Sequence, residues 1–151
     1  MSALKVALSS DHGGIELRKT IAHLLESLDV PYQEFGPEAN ESVDYPNLAF
    51  TVANKVATNE VDRGILICGT GVGMSIAANK VPGIRCALVG DTFTAHATRE
   101  HNDSNVIALG ARVLGPGLAA DIVKIWLETE FEGGRHETRL NQIAAFEQAE
   151  H

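Results

Sequence analysis

The chain reads as an α/β protein built on a parallel sheet with helices over both faces, and three features lead there. Short apolar runs alternate with stretches of helical periodicity from one end of the chain to the other. Several of those runs are followed at once by polar or glycine-rich turns, as strands feeding helices are. No linker, repeat or low-complexity segment interrupts the pattern.

Taken in order, Leu4–Ser9 is the first expected strand, followed by "SDHGG" and a helix over Ile15–Leu28. In that helix Ile15, Ile21, Leu24, Leu25 and Leu28 recur at helical spacing. Val30–Phe35 is a short strand closed by Gly36 and Pro37. A polar loop then leads to "DYP" at Asp44–Pro46, and a helix is expected from about Asn47 to Thr58. Arg63–Cys68 is the third strand, with a helix from Gly73 to about Lys80. Ile84–Val89 is the fourth strand, Thr92–His101 its helix, and Asn105–Leu109 the fifth strand. Helices over Gly117–Glu130 and, after Gly133-Gly134, Arg135–Ala149 complete the pattern.

Composition bounds what such a chain does. At 151 residues, 44% hydrophobic and 21% charged, it fits a single domain, 1–151, with a real core. A net charge of −8 makes nucleic acid and anionic membrane poor partners, because both need a basic face. A small anion held by a few local arginines remains compatible. Cys68 and Cys86 do not make a secreted disulfide framework, no apolar run approaches the roughly 20 residues of a membrane span, and the start lacks a signal-peptide layout. A cytoplasmic protein is expected.

In parallel sheets ligands bind beyond the carboxyl ends of the strands. Asp11 and His12 follow the first strand, Cys68 and a glycine loop the third, and Gly90-Asp91 the fourth. "EHNDSN" precedes and "GAR" at Gly110–Arg112 follows the fifth. These groups are expected to collect at one end of the sheet.

The loop is the most informative segment. In "GILICGTGVGMSIAANK" (Gly64–Lys80), Gly69, Gly71 and Gly73 alternate with Thr70 and Val72. Glycines at a strand-to-helix turn permit positive φ and let successive N–H groups converge on an anion. A tight turn alone needs fewer glycines. The P-loop spacing is absent, and both frames of the dinucleotide fingerprint fail, at Met74 and at Ile76, although Asp91 mimics that fold's acidic ribose ligand. Cys68 sits where strand meets loop, where nearby N–H groups favour a thiolate able to attack a carbonyl or remove a proton. Cys86, in a strand, reads as a small buried hydrophobe.

"EGGRHETRL" adds a second clue. Arg135 and Arg139 lie four apart at a helix start, where like charges repel and oppose the dipole. A phosphate between the guanidiniums removes both costs; a surface pair of Glu132 with Arg135 is the plainer alternative. Arg112 is a possible third clamp. His23 reads as a helix-surface residue. His96 and His101 are about 140° apart on a helix, so they do not form the i, i+4 pair of a helical metal site, and no Cys/His spacing suggests zinc. His12 and His101 remain as candidates for proton transfer or for binding a hydroxyl or phosphate.

"SSDHGG" (Ser9–Gly14), "DYP", the Gly64–Lys80 segment, "GIRCALV", "EHNDSNVIALGARV" and "EGGRHETR" together resemble the type B ribose-5-phosphate isomerases, a group that also holds galactose-6-phosphate and allose-6-phosphate isomerases. The resemblance runs from about Lys5 to Glu147 with the motifs in one order. It implies a Rossmann-like α/β/α sandwich with a five-stranded parallel sheet and a C-terminal helix. It also implies a homodimer or dimer of dimers whose pockets are shared between subunits, with no metal or organic cofactor.

Carried over by position, Cys68 is the base moving a proton between C1 and C2 of a phosphorylated sugar. Thr70 and the amides of Gly69, Thr70, Gly71, Val72 and Gly73 hold the enediolate oxygen, and His101 opens the furanose ring. Asp11, His12 and Asn102 contact sugar or phosphate, Tyr45 lines the pocket, and Arg112, Arg135 and Arg139 bind phosphate. One branch of the family lacks the cysteine and has a glutamate at the position of Met74; this chain follows the cysteine branch. The residues leave open a six-carbon sugar phosphate as substrate, and also a non-catalytic sugar-phosphate or nucleotide-binding module.

Overall fold

The computed structural model describes residues 4–39 and 41–149. β1 (Val6–Ser10), β2 (Tyr32–Phe35), β3 (Arg63–Cys68), β4 (Cys86–Leu88) and β5 (Val106–Gly110) form one sheet in the order β2-β1-β3-β5-β4. Every pairing is parallel. The helices are α1 (Ile15–Ser27), α2 (Tyr45–Ala57), α3 (Val72–Ala78), α4 (Thr92–Asn102), α5 (Pro116–Glu128) and α6 (Arg135–Gln148), with a 3-10 turn at His12–Gly14. Both edge strands are shorter than their apolar runs: β2 starts at Tyr32, not Val30, and β4 covers Cys86–Leu88, not Ile84–Val89. An edge strand has a neighbour on one side only. Ile84 is buried by packing beyond the ladder, and Val89, past the end of β4, still donates its N–H to Ala108 O of β5 at 3.2 Å.

Alternation along the central strands feeds two cores. Val6, Leu8, Ile65, Ile67, Ile107 and Leu109 face α1, α4 and α5, where Trp126 is fully buried. Ala7, Leu66, Cys68 and Ala108 face α2 and α3. At about 25 cal/mol per Å² of apolar surface removed from water, these two layers are the main term favouring the fold. α6 is different. Only His136 of its residues is buried, and within the chain it packs chiefly against α4.

Helices that connect parallel strands run back against them, so the sheet has two chemically distinct ends. At the carboxyl end, Asp11 N–H donates to Ile67 O, Ala111 N–H to Cys68 O and Arg112 N–H to Gly69 O. At the amino end, Asp62 N–H donates to Lys5 O, Gly64 N–H to Asn105 O and Asn105 N–H to Arg85 O. Arg18 braces the carboxyl end from inside. Nearly sealed from solvent, its guanidinium meets Glu34 at 2.8 Å, Ser10 Oγ at 2.8 Å and Pro37 O at 2.6 Å, fixing the loop after β2. Among the described residues no helix is long and apolar enough to cross a membrane.

Candidate active site

Cys68 ends β3 with its side chain on the α2–α3 face, buried beneath the glycine loop. Gly71 takes φ 82°, the left-handed region, and this turns its N–H onto Cys68 Sγ at 3.2 Å. Val72 N–H donates to Thr70 Oγ1, also at 3.2 Å. The N–H groups of Thr70 and Gly73 meet no acceptor among the described residues, so the loop presents donors to whatever lies above it. Tyr45 lies across Gly73, so close that a Cβ at residue 73 would sit 2.6 Å from its ring.

The neighbouring strand ends add polar groups. Arg112, on the turn after β5, runs beside Gly69: its Cδ is 3.7 Å from where a Cβ of residue 69 would be. The Asp11 carboxylate accepts from Gly13 N–H at 2.9 Å and caps the 3-10 turn. His12 Nδ1 accepts the N–H of Val43 at 3.3 Å, which leaves Nε2 as the protonated, donating nitrogen of a neutral ring. Asp11, His12, Tyr45, Cys68, Thr70, the loop amides and Arg112 thus share the carboxyl end of the sheet.

Two neighbours are excluded from chemistry. Burial pushes the Cys86 thiol up to about 12, so it stays protonated and a poor nucleophile at neutral pH. Asp91 caps α4, accepting from Thr94 N–H at 2.6 Å and its hydroxyl at 2.9 Å; these bonds hold its carboxyl below the usual range and occupy both oxygens.

The remaining site residues lie elsewhere. His101 and Asn102 end α4 just before the Ser104–Asn105 turn, which is bonded to the starts of β3 and β4, and Arg135 and Arg139 begin α6 beside them. This corrects the expectation that "EHNDSN" joins the other groups at one end. A segment preceding a parallel strand belongs to the amino end, and the length of β3 separates the two groups by on the order of 15–20 Å. Sequence reasoning also missed partners at this end. Glu132 faces not Arg135 but His136, at 3.3 Å, and His101, at 3.9 Å, while the His101 and His136 rings stack with centroids 4.4 Å apart. The i, i+4 spacing of Glu132 and His136 was a usable signal; His101, 35 positions before His136, gave none. Arg112, Arg135 and Arg139 make no ion pair among the described residues and are open to an anion.

A protein-family model described as Ribose/Galactose Isomerase matches residues 6–143. A Bacillus subtilis (strain 168) protein, provisionally named a sugar phosphate isomerase, is 60% identical over 96% of this chain and 98% of its own length. Escherichia coli (strain K12) ribose-5-phosphate isomerase B is 49% identical over 95% of this chain and 97% of its own. A solved structure of Clostridium thermocellum ribose-5-phosphate isomerase B superposes with a TM-score of 0.94 at 52% identity, over 96% of this chain and 98% of that one.

Proposed function

We propose that this chain, which belongs to the ribose/galactose isomerase family, interconverts ribose 5-phosphate and ribulose 5-phosphate through an enediolate, in a pocket completed by a second copy of itself. The observation that carries the reading is the convergence of a sulfur, unoccupied loop N–H groups and an unpaired guanidinium around Gly69–Gly73. Aldose–ketose isomerisation needs a base beside the migrating hydrogen and donors where oxygen gains charge. Cys68 Sγ, as thiolate, takes the C2 proton of the open-chain aldose and returns it to C1. The excess charge passes to the oxygens facing Thr70 and the loop amides, and the oxygen-bound proton moves from O2 to O1. His12 Nε2–H and Asp11 orient hydroxyl groups. A cytoplasmic setting accords with two free cysteines.

A second copy supplies what one chain keeps at its far end. In a two-fold dimer the amino end of each sheet faces the carboxyl end of the other. His101 and Asn102 then reach the sugar, and Arg135 and Arg139 the phosphate, in two equivalent pockets. Apolar side chains exposed on the isolated chain support such a contact: Phe93 at 79%, Ile76 at 57% and Ile143, on the loosely packed α6, at 57%. The activity of mixed variants tests it. Cys68→Ala chains and chains carrying both Arg135→Ala and Arg139→Ala, each inactive alone, should recover about a quarter of wild-type activity after random subunit exchange, since half the dimers then hold one intact pocket. No recovery despite demonstrated exchange would contradict a shared pocket.

Substrate identity has a direct test as well. kcat/KM for ribose 5-phosphate should exceed that for allose 6-phosphate by at least about tenfold, the scale set by one extra carbon unit in a fitted pocket. Parity or reversal would make this a hexose-phosphate isomerase.

A further inference from the structure

The turn between α5 and α6 sets Glu132 and His136, four positions apart, against His101 from the end of α4. Glu132 N–H donates to Glu100 O at 3.1 Å, tying this turn to the last turns of α4. Gly133 and Gly134 then both take positive φ, 71° and 59°, a consecutive pair that residues with a Cβ rarely adopt. The double turn folds the Glu132 carboxylate back over the first turn of α6. Its Oε1 comes to 3.3 Å from Nε2 of His136, whose side chain is only 10% exposed, and to 3.9 Å from Nε2 of His101. One ligand atom from each residue lies within 4.8 Å of the others.

We propose that His101, Glu132 and His136 bind a borderline divalent transition metal of the zinc type, with a fourth position left to water. Two imidazole nitrogens and one carboxylate oxygen are a donor set that zinc accepts with an open position, whereas calcium and magnesium call for oxygen ligands. Metal–ligand bonds of about 2.0–2.2 Å place tetrahedral ligand atoms about 3.4 Å apart. The Glu132–His136 edge, at 3.3 Å, already has that length. His101 must close its 3.9 Å edge to Glu132 by about half an ångström, draw in toward His136 to the same spacing, and tilt out of its stack, because near-parallel rings aim their lone pairs side by side instead of at one point. It can do so: its side chain is 45% exposed at a helix end, while buried His136 stays as the fixed ligand.

The ion is not a cofactor here. It would hold the His101 imidazole that ring opening needs, and so would inhibit. That consequence rests on the isomerase reading given above; the binding itself does not.

Co²⁺ titration followed by visible absorption, with Zn²⁺ competition, tests the site on the intact protein. Tetrahedral bands without a thiolate-to-cobalt charge-transfer band are expected, displaced by one Zn²⁺ per chain. Affinity should fall at least about tenfold in His136→Ala and in Glu132→Gln. The second variant alters a half-exposed side chain and keeps the test alive if the first misfolds. Absence of tetrahedral binding would overturn the proposal, as would a thiolate band with affinity unchanged in both variants, which would put the ion on Cys68. In parallel, wild-type turnover should fall with Zn²⁺ occupancy and return with EDTA. Binding as expected with undiminished turnover would leave the metal site standing and overturn the role of His101 in the isomerase reading.

Discussion

Cys68→Ala should lose turnover, and with it exchange of the substrate C2 hydrogen with solvent, by at least about 10²–10⁴, the contribution of a well-placed base. The loss should fall on kcat. On the proposed reading Arg135 and Arg139 of the second copy hold the phosphate away from the reacting carbons, so binding of ribose 5-phosphate, measured by calorimetry, should change little. Folding should also survive, because the substitution removes one atom at the edge of the α2–α3 core and leaves the β3 ladder intact. Proton exchange measured by NMR in D₂O separates this chemistry from a trivial loss of structure. Near-normal exchange in the variant would remove Cys68 as the base, and with it the proposed mechanism.

Gly71→Ala should be nearly as damaging by a different route. Its φ of 82° strains any residue with a Cβ, and the added methyl would lie 2.7 Å from Leu88 Cδ1 and 3.0 Å from the Leu109 carbonyl carbon. The loop must shift, and with it the N–H that meets Cys68 Sγ and the donors above it. Losing one preorganised donor costs about 10²–10³ in kcat elsewhere, and a similar loss is expected here. Gly83→Ala is the matched control. Its φ is 89°, but nothing lies within 4 Å of the new Cβ, and Gly83 is outside the site. Both variants should lower Tm through backbone strain of about 1–2 kcal/mol, and only Gly71→Ala should lose activity. If Gly83→Ala lost as much, the effect would be global stability, not loop geometry.

Local pattern carried most of the fold. Arg63–Cys68 was legible to the residue, because a buried central strand is apolar throughout and ends in a glycine loop. The helices were legible to within a residue or two, since their apolar faces repeat with the helical period. The edge strands were not. Val30 and Ile84 look like strand residues, yet only a neighbouring chain segment decides how far a ladder runs. Arg18 was likewise invisible: nothing in "ELRKT" says that this arginine, unlike Lys19, is buried against Glu34, Ser10 and Pro37.

The candidate site divides in the same way. Asp11, His12, Cys68, Thr70 and Arg112 were readable as neighbours because each ends or follows a strand, and parallel strands end together. His101, Asn102, Arg135 and Arg139 were recognisable by type and motif, but their position depends on which way α4 runs. Glu132 and His136 share an i, i+4 spacing, but the meeting of His101 with that pair is wholly tertiary.

The separation of the two polar clusters by the full length of a strand has a wider meaning. A hydrogen-bonded sheet is a stiff spacer, and no loop movement or side-chain rotation can fold one of its ends onto the other. On the proposed reading a solitary polypeptide is therefore catalytically mute, and well below the dimer's dissociation constant the output of a solution rises with the square of its concentration. On that reading, damage at one end silences a molecule's own proton-transferring thiol yet leaves it a competent helper, so the unit on which selection acts is the encounter.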